Sequence, residues 1–340
     1  MTAAEILKDL KNRKLKPLYL LHGEEPFFID EISDYIEHEL LSDAERGFNQ
    51  TVFYGKDTET MAVLNAAKRY PMMADYQIVL VKEAQDMKWG SDDDGKKHIN
   101  PFLAYLENPL KSTILVFCYK YGKFDKRKKT YKAIEKNGLI FESSPLYDSK
   151  IPAFVESFVG SKNYKIQPQA SALLAEYLGN DLSKIANELE KLMLNVAAGQ
   201  EITTQHIQDN IGISKEYNVF ELQTALSRRD VLKANRIINY FEANQKANPF
   251  VVVLGTLNNY FTKVLKYQYV KDKSSANVAK ELGVSPFFVK DFEQAGKTFN
   301  FSKTMQIISY LREYDVKSKG VENTANHGEL MKELIYKILH

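Results

Sequence analysis

The residues His22-Gly23-Glu24-Glu25-Pro26-Phe27-Phe28 stand where a short apolar run, Leu18–Leu21, passes into a helical pattern. In a parallel α/β domain this first strand-to-helix turn is where phosphates bind, cradled by backbone N–H groups and the helix N-terminus. A nucleotide hydrolase would carry G-x-x-x-x-G-K-S/T there, with the lysine on the phosphates and the hydroxyl on Mg2+. This turn has one glycine, no lysine and no hydroxyl. Glu24 and Glu25 put negative charge where a triphosphate needs positive charge, and Pro26 removes an N–H donor. The third apolar run ends Leu80-Val81-Lys82-Glu83, without the paired acids that would orient a metal and water. Either the fold never bound nucleotide, or a nucleotide-binding scaffold has lost its chemistry. Both readings predict no hydrolysis by this chain and no cofactor.

Other catalytic constellations are absent from the sequence. His22, His38, His98, His206, His327 and His340 are scattered, with no metal-ligand spacing. Cys118 lies in the apolar run Ile114–Cys118 and reads as a small buried hydrophobe. No G-x-S-x-G elbow occurs. Asp92–Asp94 fall in the polar stretch Trp89–Lys97 and read as solvated loop residues.

Three segments point instead to binding. Tyr70-Pro71-Met72-Met73-Ala74-Asp75 is a turn in which proline stops a helix and two methionines follow at once. Methionine is flexible and polarizable, which suits docking into an apolar pocket. Periodicity alone reads Met72 and Met73 as a cap on the domain's own core. The run Lys120–Lys132 is densely basic with interleaved aromatics, so Lys123, Lys126, Arg127, Lys128 and Lys129 are candidates for contact with a phosphate backbone. The bland alternative is a solvated helix face. Ala279–Val289, with Gly283 at its turn, has the spacing of a helix-turn-helix. Its second helix would offer Pro286, Phe287, Phe288 and Lys290 to DNA, a set poor in groups that read base edges, and helix–helix packing is the better reading.

The elements that position these segments follow from hydrophobic period. Strand patterns at Leu18–Leu21, Asn49–Tyr54, Ile78–Val81, Thr113–Cys118 and Leu139–Phe141 alternate with helical ones. Asp30–Leu41 is helical, and Asp57 caps a helix with Met61, Leu64 and Ala67 inward. Such alternation predicts a parallel, doubly wound sheet. Ser143-Ser144-Pro145 marks a change, after which only helical patterns appear. Pro168 opens a helix with Ala170, Leu173, Leu174 and Tyr177 inward and Gly179 past its end. Leu182, Ile185, Ala186, Leu189, Leu192 and Met193 line the next. Thr203 caps a short helix ending near Gly212, and Asn218 to Glu221 resembles a capping box. Helices are then predicted over Asp230–Phe241, Pro249–Tyr269, Ser275–Leu282, Ser285–Gln294, Ser302–Val316 and Gly328–Leu339.

The 340 residues are 44% hydrophobic and 26% charged, a globular composition. Lys+Arg of 46 against Asp+Glu of 44 leaves a net charge of +2, so any nucleic-acid binding must come from a local patch. One cysteine allows no disulfide within the chain and fits a reducing cytoplasm. Met1–Lys16 is polar and amphipathic, without a signal-peptide core, and no apolar run is long enough for a membrane span.

Together these parts resemble the delta subunits of the bacterial DNA polymerase III clamp loader. The resemblance rests on Leu18-Tyr-Leu-Leu-His-Gly-Glu-Glu-Pro-Phe-Phe28, on Pro71-Met-Met-Ala-Asp-Tyr-Gln77 leading into Ile78–Glu83, and on Gly179–Leu192. Phe220–Asp230 and Ala279–Val289 extend it nearly end to end. It implies a degenerate AAA+-type P-loop α/β domain with a parallel sheet (residues 1–145), then two all-α domains, a helical lid (146–213) and a helical collar for oligomerisation (214–340). It implies a clamp-binding turn at Tyr70, Pro71, Met72 and Met73 that docks on the beta sliding clamp. The basic run lies outside that motif. The implied role is to bind the clamp and favour its open form for loading onto primed DNA, with no catalytic residues and no metal in this chain. Implied partners are the gamma/tau ATPase subunits and delta prime through the collar, and DNA within the assembled loader. The assembly carries DNA-directed DNA polymerase, a nucleotidyltransferase activity, in the cytoplasm. Rival readings are a helix-turn-helix DNA-binding regulator and a nucleotide-dependent enzyme with an unusual phosphate loop.

Overall fold

The computed structural model describes residues 1–89, 100–197, 199–210, 217–246, 248–320 and 325–340. The loop expected around Asp92–Asp94, His98 and the helix end near Gly212 lie outside the described residues. The chain divides into two compact units, Met1–Leu146 and Tyr147–His340.

The amphipathic terminus of the first unit forms α1 (Ala3–Lys11). Thr2 and Glu5 close a reciprocal capping box, and Ala3, Ile6 and Leu10 are buried. Then come β1 (Leu18–Gly23), α2 (Pro26–Glu39), α3 (Asp43–Asn49), β2 (Gln50–Tyr54), α4 (Thr60–Ala67), β3 (Gln77–Lys82), α5 (Pro101–Glu107), β4 (Thr113–Lys120), α6 (Lys129–Asn137) and β5 (Leu139–Ser143). The strands lie in the order β2-β3-β4-β1-β5, every pairing parallel. This is the parallel α/β sheet expected from the alternation. A central parallel strand is buried on both faces, which is why β1, β3 and β4 read as unbroken apolar runs. Leu18, Leu20, Val79, Val81, Leu115 and Phe117 enter one core. Tyr19, Leu21, Ile78, Leu80, Val116 and Cys118 enter the other.

Two local expectations change. The helix expected from Asp30 begins at Pro26, because proline suits the first helical position and Glu25 caps it. The Met61 side of α4 faces outward, with Val63 and Leu64 buried. Asp57 closes a 3-10 turn (Gly55–Asp57), so the helix starts at Thr60; Leu64 and Ala67 are buried as expected, and Met61, in its first turn, is not.

The second unit runs α7 (Ile151–Ser161), β6 (Lys165–Ile166), α8 (Pro168–Leu178), α9 (Leu182–Leu194), β7 (Glu201–Ile202) and α10 (Thr204–Asn210). It continues with α11 (Val219–Ser227), α12 (Val231–Ala243), α13 (Phe250–Tyr269), α14 (Ser275–Leu282), α15 (Val289–Thr298), α16 (Phe301–Ser318) and α17 (His327–Leu339). Among the described residues its only strands are β6 and β7, a two-residue parallel pair too short to leave a periodic signal. The inward residues expected on α9 are all buried. Ala170 and Leu174 are buried on α8, while Leu173 and Tyr177 are half-buried. Thr203 Oγ1 accepts from His206 N–H at 3.3 Å, and Asn218 Oδ1 from the N–H groups of Phe220 and Glu221 at 2.9 Å. Helices α11 to α17 share one core, from Leu222 to Leu339, which among the described residues takes no buried residue from α7 to α10.

Candidate functional site

The turn after β1 is closed from within. Gly23 has φ +145°, and a Cβ there would stand 1.8 Å from the Ser143 carbonyl oxygen. That close approach lets Glu24 N–H donate to the same oxygen at 3.0 Å, with Glu25 N–H at 3.5 Å. Phe27 N–H donates to Glu25 Oε1 at 3.0 Å, and Pro26 has no N–H. The donors that a phosphate loop turns outward are therefore committed inward. The buried Glu25 carboxylate sits on the positive end of the α2 dipole, the seat an anion would take. Cations at the carboxyl ends of the neighbouring strands are paired too: Lys82 Nζ lies 2.6 Å from Glu37, and Lys120 pairs with Asp30.

His22 belongs to this closed core. Its side chain is fully buried, Nδ1 accepts from Phe124 N–H at 3.3 Å, and Nε2 has no hydrogen-bond partner. The ring meets Tyr131 edge-on, 6.2 Å between centroids. Burial pushes its pKa below the ordinary histidine value, against the Glu142 charge, which pulls it up. A neutral, locked imidazole packs the domain and has no substrate-facing role in this geometry.

The turn after α4 is its opposite. Met73 is 101% exposed, Tyr70 74% and Met72 58%, and Pro71 is half-buried. Their exposure overturns the core-cap reading of the two methionines, whose period fitted the inside although the backbone carries them outward. The turn is nevertheless firmly built. At its root, buried Gln77 donates from Nε2 to the Arg69 carbonyl and to Thr113 Oγ1, the latter at 2.8 Å. Tyr105 and Thr113 hydroxyls donate to the Ala67 carbonyl at 3.1 and 2.9 Å, satisfying the open end of α4. At its tip, Asn49 grips Met72 by both backbone groups: Met72 N–H donates to Oδ1 at 2.6 Å, and Nδ2 donates to the Met72 carbonyl at 2.9 Å. Asn49 is buried, and its neighbour Phe48 is 67% exposed. Met73 takes a left-handed φ of 54°, a conformation that costs an L-residue about 1–2 kcal/mol. Asn49 and Phe48 escaped the sequence reading, since a contact across 23 residues has no local period.

The basic run is not one helix face. Only Lys129 onward is helical. Lys123 and Lys126 converge on Glu142 at 3.2 and 2.7 Å, and Arg127 binds Asp125 at 2.9 Å. The Arg127 hydrogen bonds hold the Asp125 carboxyl down at about 2. Lys128 Nζ lies 5.5 Å from the centre of the Phe124 ring. Much of the positive charge is thus balanced by this chain's own acids, and the local field is weaker than the residue count suggests.

In the second unit, Gly283 ends α14 with a left-handed φ of 63°. The helix expected from Ser285 starts at Val289, because Pro286–Phe288 form a 3-10 turn. Val289, Phe292 and Ala295 are buried in the helical core, as packing requires. Phe288 and Phe292, with Phe220, Tyr260, Lys263 and Asp148, line a cavity of about 320 Å3. Cys118 is buried, and desolvation pushes its thiol up to about 12, so no thiolate nucleophile exists near neutrality. Among the described residues no cluster of acids, histidines or cysteine could hold a metal ion, and no helix is long and apolar enough to cross a membrane.

Known proteins match along most of the chain. Residues 19–144 match the family model described as DNA polymerase III, delta subunit, and residues 216–336 match that of its C-terminal domain. DNA polymerase III subunit delta of Bacillus subtilis (strain 168) is 24% identical over 318 residues, covering 93% of this chain and 91% of the relative. The solved structure of the Bacillus subtilis DNA clamp loader delta protein superposes with a TM-score of 0.60 at 22% identity, covering 99% of both chains. That likeness speaks for the fold, a parallel α/β unit followed by helices. With a closed phosphate turn, an exposed apolar tip and two family models spanning sheet and helices alike, the chain belongs to the DNA polymerase III delta-subunit family.

Proposed function

We propose that this chain grips a ring-shaped sliding clamp through Tyr70, Pro71, Met72 and Met73 and favours the open ring, while neighbouring subunits hydrolyse ATP. The observation that carries the reading is the tip: two methionines and a tyrosine held out to solvent on a turn braced by buried Asn49 and Gln77. Exposed apolar groups on a rigid mount suit insertion into an apolar pocket, because little order has to be gained on binding. A closed and an open ring are two states, and a subunit shifts their balance only by binding one more tightly. The tip gives affinity; contacts made better with the open ring would do the opening.

The closed turn at His22–Phe28 supports the division of labour, since its donors are already used. The separate core of α11–α17 supports reading 214–340 as the collar and 146–213 as a lid. Tyr269, Phe301, Met305, Val251 and Val252 are exposed apolar residues of that bundle, suited to joining the ATPase subunits and delta prime. Lys123, Lys126, Arg127, Lys128 and Lys129 are kept as a DNA-contacting patch within the assembled loader. The test is capture of the cognate sliding clamp by the purified full chain, beside the double variant Met72→Asp, Met73→Asp, with ATP turnover assayed on the chain alone. Capture that is lost in the variant, without turnover, is the expected result. Equal capture by the variant would remove the docking assignment, and turnover by the isolated chain would favour the enzyme reading.

A further inference from the structure

We infer that Asn49 is the positioning residue of the docking tip: it holds Met72 by both backbone groups and so fixes where Met73 points. The inference rests on the clamp-docking reading of the turn. Asn49 is 3% exposed and closes α3, and its Nδ2 also donates to the Glu45 carbonyl at 3.0 Å. Its amide plane is therefore set from its own helix before it meets Met72. The two Met72 bonds, 2.6 and 2.9 Å, use one acceptor and one donor, so the side chain imitates a strand neighbour for a turn that has none. Ala67, at the root, is pinned by Thr113 and Tyr105, whereas Asn49 reaches the tip itself.

A second feature needs such a clamp. Met73 lies at φ 54°, where an unconstrained methionine rarely stays. Without Asn49 the turn would relax toward ordinary φ values, and Met73 would swing away from its docking direction. Met73 is 101% exposed, so side-chain packing offers it no hold. Asn49 thus acts on affinity through population: when the competent turn falls to a tenth of molecules, the apparent Kd rises tenfold.

The experiment measures binding of the full chain to the cognate sliding clamp by calorimetry, for wild type, Asn49→Ala, Asn49→Asp, Met73→Ala, the pair Asn49→Ala with Met73→Ala, and the two-aspartate variant. Asn49→Ala is expected to weaken binding about tenfold. Asn49→Asp keeps the acceptor for Met72 N–H but turns a carboxylate oxygen onto the Glu45 and Met72 carbonyls, so it should lose at least as much; Asn49→Ser serves if the alanine variant folds poorly. In the Met73→Ala background the Asn49 effect should shrink, because the Met73 share of what is aimed is gone while Met72 and Tyr70 remain. A purely structural role would leave the Asn49 effect unchanged in that background, and such additivity overturns the inference. Wild-type affinity in Asn49→Ala, with binding lost in the two-aspartate variant, overturns it too and spares the docking reading. Wild-type affinity in the two-aspartate variant ends the docking reading and this inference with it.

Discussion

Replacing Met72 and Met73 by aspartate removes two apolar side chains from a place where the free protein leaves them in water. Full burial of a methionine side chain is worth about 1.5–3 kcal/mol. Met73 is 101% exposed and Met72 58%, so docking can bury all of the first and rather more than half of the second. The two together supply about 2.4–4.7 kcal/mol, or roughly two to three and a half decades in Kd. Aspartate adds the cost of desolvating a charge in an apolar pocket, so the loss should reach the upper end. Folding should hardly change, since exposed substitutions usually move stability by about 0.5 kcal/mol or less. Aspartate also tolerates the left-handed φ of 54° at position 73 better than methionine does. Calorimetry or surface plasmon resonance against the cognate clamp gives Kd, and urea unfolding gives stability on the same samples. An affinity within threefold of wild type, with folding intact, would show that these side chains are not the anchor.

The remaining predictions concern the closed half of the domain. Gly23→Ala should destabilise the first unit strongly, since its Cβ would stand 1.8 Å from a carbonyl oxygen at φ +145°; a melting temperature equal to wild type would contradict the packing argument. His22 is held neutral, its pKa depressed by burial, so the unfolded chain takes up a proton that the folded one refuses. Stability is then unaffected well above the unfolded value near 6.5 and falls as pH drops below it toward the folded pKa, by at most about 1.4 kcal/mol per pH unit. Urea unfolding at pH 7.5 and 5.5 should show that fall, and His22→Phe should flatten its histidine part. The Cys118 thiol, pushed up to about 12, should resist a disulfide reagent in the folded protein and react once the chain is unfolded in urea.

What the sequence made legible follows from where its signals are local. Buried parallel strands must be apolar throughout, so β1, β3 and β4 announce themselves as short apolar runs. The helices from α12 to α17 carry a 3.6-residue stripe, and their limits agree with the expected ones to within a few residues, α15 excepted. Short helices fared differently. Helix α3 (Asp43–Asn49) has only two turns and one buried residue, so no stripe exists to be read. Helix α6 sits in a lysine-rich segment that reads first as charge, although Tyr131, Ala133 and Ile134 mark a buried face, and the 3-10 turn at Pro286–Phe288 keeps the apolar spacing of a helix without being one. On α4 the expected Leu64 and Ala67 are buried but Met61 is not, because Asp57 belongs to the Gly55–Asp57 turn and the helix starts only at Thr60.

The two candidate sites differ in the same way. The closure of the phosphate turn is written locally: Glu24, Glu25 and Pro26 spoil the cradle by type alone, and the structure adds only that Ser143, 120 residues away in the chain, takes up the turn's donors. The tip is not written locally. Met72 and Met73 fit a core cap by composition, and what turns them outward is Asn49 on one side and Gln77 on the other, contacts that no spacing rule connects. A crevice can be disabled by residues that sit in it, because removing donors and adding charge needs no partner. A docking surface has to be aimed, and aiming needs a rigid body behind it. This sheet, with its ligand crevice closed by its own carboxylates and carbonyls, is such a body. On the docking reading, the residues that aim the tip therefore lie on α3 and β3, one layer behind the side chains a partner would touch.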